Sequence, residues 1–325
     1  MPQFGALCSM LCRQPDQQQR RHARRRDGNR IAADALRRVT HIFVSLIETK
    51  ENVLLGMDAS WNFFAFAEAN QPIYRIISCK LDLPMLAIDS IARQAAALNR
   101  ALTDATPGEI VAAAQREVGK HRVAVASSFG IESATLLKIV ADVDASLPVL
   151  FLNTGWLFPE TLAYRDTLIA RLGLTDVRTI APSAEAVAAK DPARDLWSID
   201  PDACCALRKV EPLAEVLEPF KAWINGRKRY HGGERAALPV VEADGGRLKF
   251  NPLARTTPAD IVKMFNAWEL PRHPLAGQGF TSVGCIPCTR RTAPGESVRA
   301  GRWSDQEKTE CGIHNRMPLT DGAGI

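Results

Sequence analysis

Four of the eight cysteines in this 325-residue chain stand in two close pairs, Cys204-Cys205 and Cys285-Ile-Pro-Cys288. Neighbouring residues of a helix point roughly 100° apart, so the adjacent thiolates of the first pair converge poorly on one small zinc ion. A [4Fe-4S] cluster presents several irons, and each cysteine can take its own. The spacing therefore favours an iron-sulfur cluster, with a purely structural zinc site as the alternative.

A fifth cysteine, Cys311, lies near the end of the chain in the segment KTECGIH, residues 308–314. The thiolate is the nucleophilic form of cysteine, and a nearby histidine or cationic side chain favours it. Because His314 follows three residues later, Cys311 is a candidate nucleophile. The alternative is an unreactive thiol in a chain terminus.

Two basic residues, Arg208 and Lys209, follow the first cysteine pair by four positions. If residues 201–218 form one helix, they lie on the same face as the paired cysteines. They would then bring positive charge to the cluster and to any bound anion. The alternative is a pair of solvated basic residues.

The net charge of +5 is concentrated upstream: residues 1–84 carry 12 Lys/Arg and 8 Asp/Glu, whereas residues 85–325 carry 29 and 28. A broad nucleic-acid surface needs clustered positive charge on the folded domain and is not expected here, although a local anion pocket is compatible with this balance. No apolar run approaches the roughly 20 residues of a membrane-spanning helix. The absence of a secretory signal favours a reducing cytoplasm, and Cys8, Cys12 and Cys79 are expected to be bystanders.

Residues 1–84 are expected to form a partly disordered N-terminal extension, because residues 13–38 are rich in Arg and Gln and few of them could be buried. A basic arm and an organelle-targeting leader are alternatives for this segment. In another alternative, the working protein begins near Met85 and the upstream residues come from an early start codon. The patterned domain comprises residues 85–325.

From Met85 the sequence alternates between apolar, β-branched runs and helical patterns. The expected strands and helices are a helix over 85–102, a helix entered through Thr106-Pro107, strands at 122–127, 148–152 and 176–180, helices at 131–140 and 159–172, and a hairpin over 240–250. Repeated βα units predict an α/β fold with a doubly wound, mostly parallel sheet.

Ligands of such sheets bind at the carboxyl ends of the strands, so the turns after the first two strands are candidate sites. The first, SSFGIES, offers Ser127, Ser128, Phe129, Gly130 and Ser133, whose backbone and hydroxyl groups could hold a phosphate or sulfate. An ordinary helix entry is the alternative. The second, NTGWLFPET, offers Thr154 and Gly155 after Asn153.

Together these turns resemble the pyrophosphate-loop nucleotide-binding fold. With CCALRKVEPL, GCIPCTR, RAGRW and KTECGIH, they resemble the iron-sulfur adenylyl-sulfate reductases over roughly residues 90–316. The resemblance implies a reductase domain over 85–325, with the cluster loop and catalytic tail in 283–325. It implies a [4Fe-4S] cluster on the paired cysteines, Cys311 as nucleophile, and sulfate contacts from Lys209, Arg299, Arg302 and His314.

Two segments depart from that family pattern. Asn153 stands where the family has Asp, and WINGRKRYHGG replaces the usual Gly-x-Arg-Arg-x-x-Ser, leaving Arg229 as the expected nucleotide contact. The resemblance implies adenylyl sulfate as substrate and thioredoxin or glutaredoxin as external reductant, with a homo-oligomer left open and neither nucleic acid nor a membrane as partner.

Three other functions compete with this one. A phosphoadenylyl-sulfate reductase differs only in admitting a 3′-phosphate. An ATP-cleaving pyrophosphate-loop enzyme would not need KTECGIH. A zinc-stabilised nucleic-acid binding module would use the four paired cysteines and the basic arm, against which the near-neutral domain argues.

Overall fold

The computed structural model describes residues 53–57, 63–67, 83–304, 306 and 308–314. The chain divides into two units, residues 1–81 and 82–325. In the first unit, β1 (Val53–Met57) pairs antiparallel with β2 (Phe63–Ala67). The disorder expected of residues 13–38 and the bystander role of the first three cysteines lie outside the described residues.

The second unit alternates helices and strands. The helices are α1 (Leu83–Ala101), α2 (Pro107–Val118), α3 (Ser133–Asp144), α4 (Pro159–Leu172), α5 (Ala184–Lys190), α6 (Leu196–Ile199), α7 (Pro201–Cys205), α8 (Glu211–Val216) and α9 (Pro258–Ala267). The strands are β3 (Val123–Ala126), β4 (Val149–Leu152), β5 (Val177–Ile180), β6 (Ala222–Ile224), β7 (Val241–Asp244) and β8 (Arg247–Phe250).

The six strands form one sheet in the order β5-β4-β3-β6-β8-β7. Every neighbouring pair is parallel except the β7–β8 hairpin. The chain runs outward from β3 through β4 to β5 and then returns to β6 on the other side of β3. This reversal is the switch point at which open parallel sheets bind their ligands. The predicted α/β, doubly wound, mostly parallel fold is confirmed.

Both faces of the sheet are buried, because successive strand residues point to opposite sides. Ala222 and Ile224 of β6 join the larger core, with α2, α3 and α9, whereas Trp223 between them joins the smaller core beside α8. None of the helices in the described part of the chain is long and apolar enough to cross a membrane.

The helix expected over residues 201–218 is present but is not regular. Residues 206–210 form a π-helical turn between α7 and α8. Pro212 has no N–H to donate to the carbonyl of Arg208, and the backbone N–H of Glu211 instead reaches back five residues to Ala206. A π turn within a helix often marks a functional site, and this one follows directly on Cys205.

Candidate active site

A cavity of about 220 Å³ lies at the switch point of the sheet. Its walls come from the β3–α3 loop (residues 127–133), the segment after β6 (225–235), the cluster loop (283–289) and the C-terminal segment (308–314). The sequence-predicted residues that line it are Ser127, Ser128, Gly130, Ser133, Thr154, Lys209, Arg299, Arg302, Cys311 and His314.

The β3–α3 loop is shaped by hydrogen bonds within itself. The backbone N–H of Phe129 donates to Ser127 Oγ at 3.2 Å, and that of Gly130 donates to Ser133 Oγ at 2.8 Å. Phe129 has a φ of 48°, and its fully buried ring packs edge-on against Phe151. Phe129 therefore anchors the loop in the core and does not line the cavity.

Residues of the turn after β4 have different surroundings. Thr154 Oγ1 lies 3.2 Å from Cys285 Sγ, whereas Gly155 lies outside the main cavity and lines a more open neighbouring cavity of about 400 Å³. Asn153 Oδ1 accepts a hydrogen bond from the backbone N–H of Gly155 at 3.1 Å. The amide oxygen thus serves the turn as an acceptor without a negative charge.

The four paired cysteines come together around one smaller cavity. Cys204 and Cys205 end α7, and Cys285 and Cys288 flank a short helical turn. The cluster loop is held to the turn after β4 because the backbone N–H of Ile286 donates to the carbonyl of Trp156 at 2.7 Å. All five cysteines in the described part of the chain are free thiols.

The surroundings of these thiols differ in their electrostatics. Burial raises the pKa of Cys205 to about 11. Burial acts in the same direction on Cys285, but the Lys209 ammonium and the Thr154 hydroxyl outweigh it and lower the pKa of that thiol.

Arg208 and Lys209 diverge at the π-helical turn. Buried Arg208 donates to Asp191 Oδ2 at 2.5 Å and to the carbonyl of Thr154 at 3.0 Å. Lys209 lines both cavities. Burial alone would lower the pKa of Lys209, but the nearby thiols, Cys285 and Cys311 first among them, outweigh it and raise that pKa. Lys209 is thus the cation shared by the paired cysteines and the candidate nucleophile.

The C-terminal segment is held to the rest of the second unit by contacts on both sides of Cys311. Glu310 accepts a two-pronged ion pair from Arg235, at 2.5 and 2.8 Å, and its Oε2 lies 3.4 Å from Arg299 Nη2. Lys308 pairs with Asp202. These contacts place the half-buried Cys311 at the wall of the main cavity.

His314 is fixed by stacking and not by an ionic contact. Its ring lies parallel to Trp223, with centroids 5.8 Å apart, and its carbonyl accepts from Lys249 Nζ at 3.1 Å. Burial, followed by the surrounding cations, holds the pKa of His314 well below its usual range. A neutral imidazole therefore lines the cavity, a hydrogen-bonding group with no charge of its own.

The two predicted arginines have different surroundings. Arg299 donates to the carbonyl of Thr309 at 2.9 Å, and burial lowers its pKa to about 10. Arg302 donates to the carbonyls of Cys288 at 3.2 Å and Val283 at 3.0 Å. It crosses so close to Gly284 that a Cβ there would collide with its guanidinium. Arg302 therefore braces the cluster loop while facing the cavity.

Arg229 does not lie where the sequence analysis expects it, at the wall of the cavity. Arg229 donates to the carbonyl of Leu238 at 2.8 Å and does not line the cavity. Its neighbours Arg227 and Lys228 line the cavity, and the chain enters a short helical turn at Arg229. Its role in nucleotide binding remains a prediction without support from this geometry.

Glu132, Arg235 and Glu310 were missed by reasoning from spacing. Glu132 carries the only negative charge in SSFGIES and pairs with Lys228 at 2.9 Å inside the cavity wall. Its pKa is about 2, because contacts with His231 and Lys228 outweigh the opposing effect of burial. A lone acid within a motif of hydroxyls was the available signal.

The side-chain donors around the smaller cavity suit a bound cluster better than a single metal ion. Among the described residues, no group of three or more His, Cys, Asp or Glu side chains is arranged to hold a single metal ion. Two buried donors beside the four thiols, Trp156 Nε1 and Arg208 Nε, have no hydrogen-bond partner within the described chain. Four thiols with unpaired N–H groups around them fit a larger inorganic group that carries sulfur acceptors.

The fold and these cavities define a class: α/β proteins that bind a ligand at the switch point of a parallel sheet and present a free thiol there. The family model of the phosphoadenosine phosphosulfate reductase domain matches residues 122–291. The chain belongs to this family.

Relatives and a solved structure agree with this assignment. An adenosine 5′-phosphosulfate reductase of Mesorhizobium japonicum is 47% identical over 72% of this chain and 94% of its own length. A phosphoadenosine 5′-phosphosulfate reductase of Gloeobacter violaceus is 39% identical over 72% of this chain and 98% of its own. The phosphoadenylyl-sulfate reductase of Candida auris, 24% identical, has the same fold, with a TM-score of 0.52 over 59% of this chain and 94% of that one.

Proposed function

We propose that residues 85–325 reduce adenylyl sulfate to sulfite and AMP in assimilatory sulfate reduction. The observation that carries this proposal is one cavity shared by the β3–α3 loop, several cations and the thiol of Cys311. The substrate follows the names of the Mesorhizobium relative and of a second one, from Chelativorans, 48% identical over 65% of this chain.

In the first step, the Cys311 thiolate attacks the sulfur of adenylyl sulfate. A bond forms between Sγ and that sulfur, the bond from sulfur to the phosphate oxygen breaks, and AMP departs with the electron pair. An S-sulfonate remains on Cys311. Lys209 and Arg299 face this position and offset the negative charge of the sulfuryl and phosphate oxygens, which otherwise repel a thiolate.

The β3–α3 loop and its neighbours hold the nucleotide. Ser128 and the backbone of Gly130 face the cavity, while Ser127 and Ser133 fix the loop's shape. Neutral His314 supplies a hydrogen-bonding group near the sulfuryl oxygens without adding charge. Arg302 keeps the cluster loop against the cavity.

Cys204, Cys205, Cys285 and Cys288 would hold a [4Fe-4S] cluster. When bound, it supplies a fixed charge and structure beside Lys209, and the displacement at Cys311 needs no electron from it. Trp156 and Arg208 would offer their unpaired N–H groups to its sulfur atoms.

Completion of the cycle requires an external dithiol, thioredoxin or glutaredoxin. One of its thiolates attacks Cys311 Sγ, displaces sulfite and forms a mixed disulfide. The second thiol resolves that disulfide, so the reductant is oxidised by two electrons and Cys311 returns to the thiol. A cytoplasmic location suits these thiols.

Phosphoadenylyl sulfate is the second candidate substrate, because the Gloeobacter relative bears that name at 39% identity. The test is anaerobic purification with iron and sulfide assay, followed by sulfite release from each nucleotide with thioredoxin. Higher kcat/KM on adenylyl sulfate supports the proposal. Higher kcat/KM on the 3′-phosphorylated nucleotide favours the second candidate, and sulfite from neither rejects both.

A further inference from the structure

A continuous network of four side chains joins the β3–α3 loop to the residue before Cys311. Glu132 Oε2 lies 3.2 Å from His231 Nε2. His231 Nδ1 lies 3.1 Å from Arg235 Nη1, and Arg235 then forms its two-pronged ion pair with Glu310. Between 10% and 21% of each of these four side chains is exposed, so the network forms part of the cavity wall.

The chemistry of the groups fixes the direction of each hydrogen bond. Arginine only donates, so His231 Nδ1 accepts from Arg235 and the ring proton must lie on Nε2, where it donates to Glu132. Burial is the largest influence on His231 and lowers its pKa, which agrees with this neutral tautomer. A protonated ring would instead direct an N–H at a guanidinium.

Both ends of this side-chain network are anchored. Glu132 is also held by Lys228 at 2.9 Å and by the Tyr230 hydroxyl at 2.5 Å. At the other end, Glu310 is bonded covalently to Cys311, whose next neighbour Gly312 lies close to Val210. A shift of any link would therefore be transmitted to the position of the Cys311 thiol.

We infer that His231 and Arg235 are positioning residues, which hold Cys311 at the cavity by linking Glu132 of the loop to Glu310 of the C-terminal segment. This inference rests on the proposed function, in which Cys311 is the nucleophile. Neither residue needs to touch the reacting atoms, because each acts through the ion pair at Glu310.

The test measures how fast iodoacetamide alkylates Cys311 in the anaerobically purified full chain, followed by mass spectrometry of the peptide that contains it. His231→Phe keeps a ring but loses both hydrogen bonds, and it should raise the alkylation rate about tenfold by loosening the C-terminal segment. His231→Gln keeps one donor and one acceptor and should restore a rate within about twofold of wild type.

A double-mutant cycle distinguishes one connected side-chain network from separate, independent contacts. Glu310→Gln breaks the far end, and combining it with His231→Phe should add little to either change alone. Asp202→Asn is the matched control, because it removes the ion pair of Lys308, which lies in the same segment but is not part of the network. Its effect should multiply with that of His231→Phe.

Equal alkylation rates in wild type and His231→Phe, with unchanged thermal unfolding, would overturn the inference. So would independent, multiplying effects of His231→Phe and Glu310→Gln. If His231→Phe does not fold, Glu310→Gln alone must raise the rate. In steady state, His231→Phe should lower kcat about tenfold with KM within about twofold. Failure of the proposed function gives a different result, namely no sulfite from the wild-type protein.

Discussion

The β3–α3 loop and the C-terminal segment meet in the same cavity but are held by different kinds of contact. The loop takes its shape from bonds among its own residues 127–133, such as those to Ser127 Oγ and Ser133 Oγ, while Glu132 near its end pairs with the distant Lys228. The C-terminal segment is held by distant partners, including Arg235, Trp223 and Lys249. The shape of the first wall is therefore set mainly by local contacts, and the position of the second wall is set by tertiary structure.

This difference has a chemical consequence. A phosphate cradle gains from a shape that exists before the ligand arrives. In the proposed reaction, Cys311 faces first a nucleotide and then a protein reductant. Its segment then needs contacts that can be exchanged, and polar contacts between distant segments serve that purpose better than a continuous core.

The first prediction concerns the paired cysteines, whose cavity shares Lys209 with the main cavity. Cys204→Ser should abolish bound iron and sulfide in the purified protein and reduce sulfite formation below detection, because the proposed cluster would lose one of its four ligands. The matched control is Cys311→Ser, which should retain iron and sulfide at wild-type levels. Full metal content in the Cys204 variant would remove that residue from the ligand set.

The second prediction concerns Lys209, the cation between the two cavities. Lys209→Met should lower kcat/KM by about 10²- to 10³-fold, because a preorganised charge is lost where negative charge develops. Lys190→Met removes an exposed lysine paired with Glu211 and should leave kcat/KM unchanged. Equal effects of the two substitutions on sulfite release would contradict the role given to Lys209.

The third prediction concerns the docking of the C-terminal segment. Gly312 has a φ of 84°, and a Cβ there would lie 3.3 Å from Val210 Cγ2. Gly312→Ala should therefore disfavour the docked segment and lower kcat about tenfold. Gly295→Ala imposes similar strain at a φ of 88° in open space and should leave kcat unchanged. An unaffected kcat in the Gly312 variant would show that docking does not depend on this contact.

The fourth prediction concerns the pH dependence of the loop's anchor. The pKa of Glu132 is about 2 in the fold against 4.5 as its ordinary value. The unfolded chain thus binds the extra proton between these values, so the stabilisation is complete above pH 4.5 and is lost as pH falls toward 2. Between pH 6 and 3 the free energy of unfolding should fall by about 2 kcal/mol more in wild type than in Glu132→Gln. Parallel curves from denaturant titrations would refute this ionic role.

Local signals in the sequence were sufficient for most of the fold. The entry of α2 at Thr106 forms both hydrogen bonds of a capping box with Glu109, and α4 spans the residues expected. No helix is predicted from the sequence at α9, although Thr257 and Asp260 repeat the same capping pattern. The π-helical turn could not be foreseen, because periodicity does not reveal an i+5 bond.

The site residues also differ in how far the sequence predicts them. The residues of the β3–α3 loop follow from a strand end and a helix start, and the cysteine pairs follow from ligand chemistry. Arg235 lies 75 residues from its partner Glu310, and Asp191 lies 17 from Arg208. No spacing rule links such residues, since the fold alone brings them together. Arg229 illustrates the converse, a basic residue in the expected segment that points elsewhere.

The most direct test of this account is mass spectrometry of the intact protein after anaerobic incubation with adenylyl sulfate and no reductant. The account predicts a stoichiometric mass increase of one SO₃ group, mapped to the peptide containing Cys311 and removed by thioredoxin with release of sulfite. A chain that releases sulfite at full rate while Cys311 is replaced by Ser, or that carries the added group on another cysteine, would contradict it.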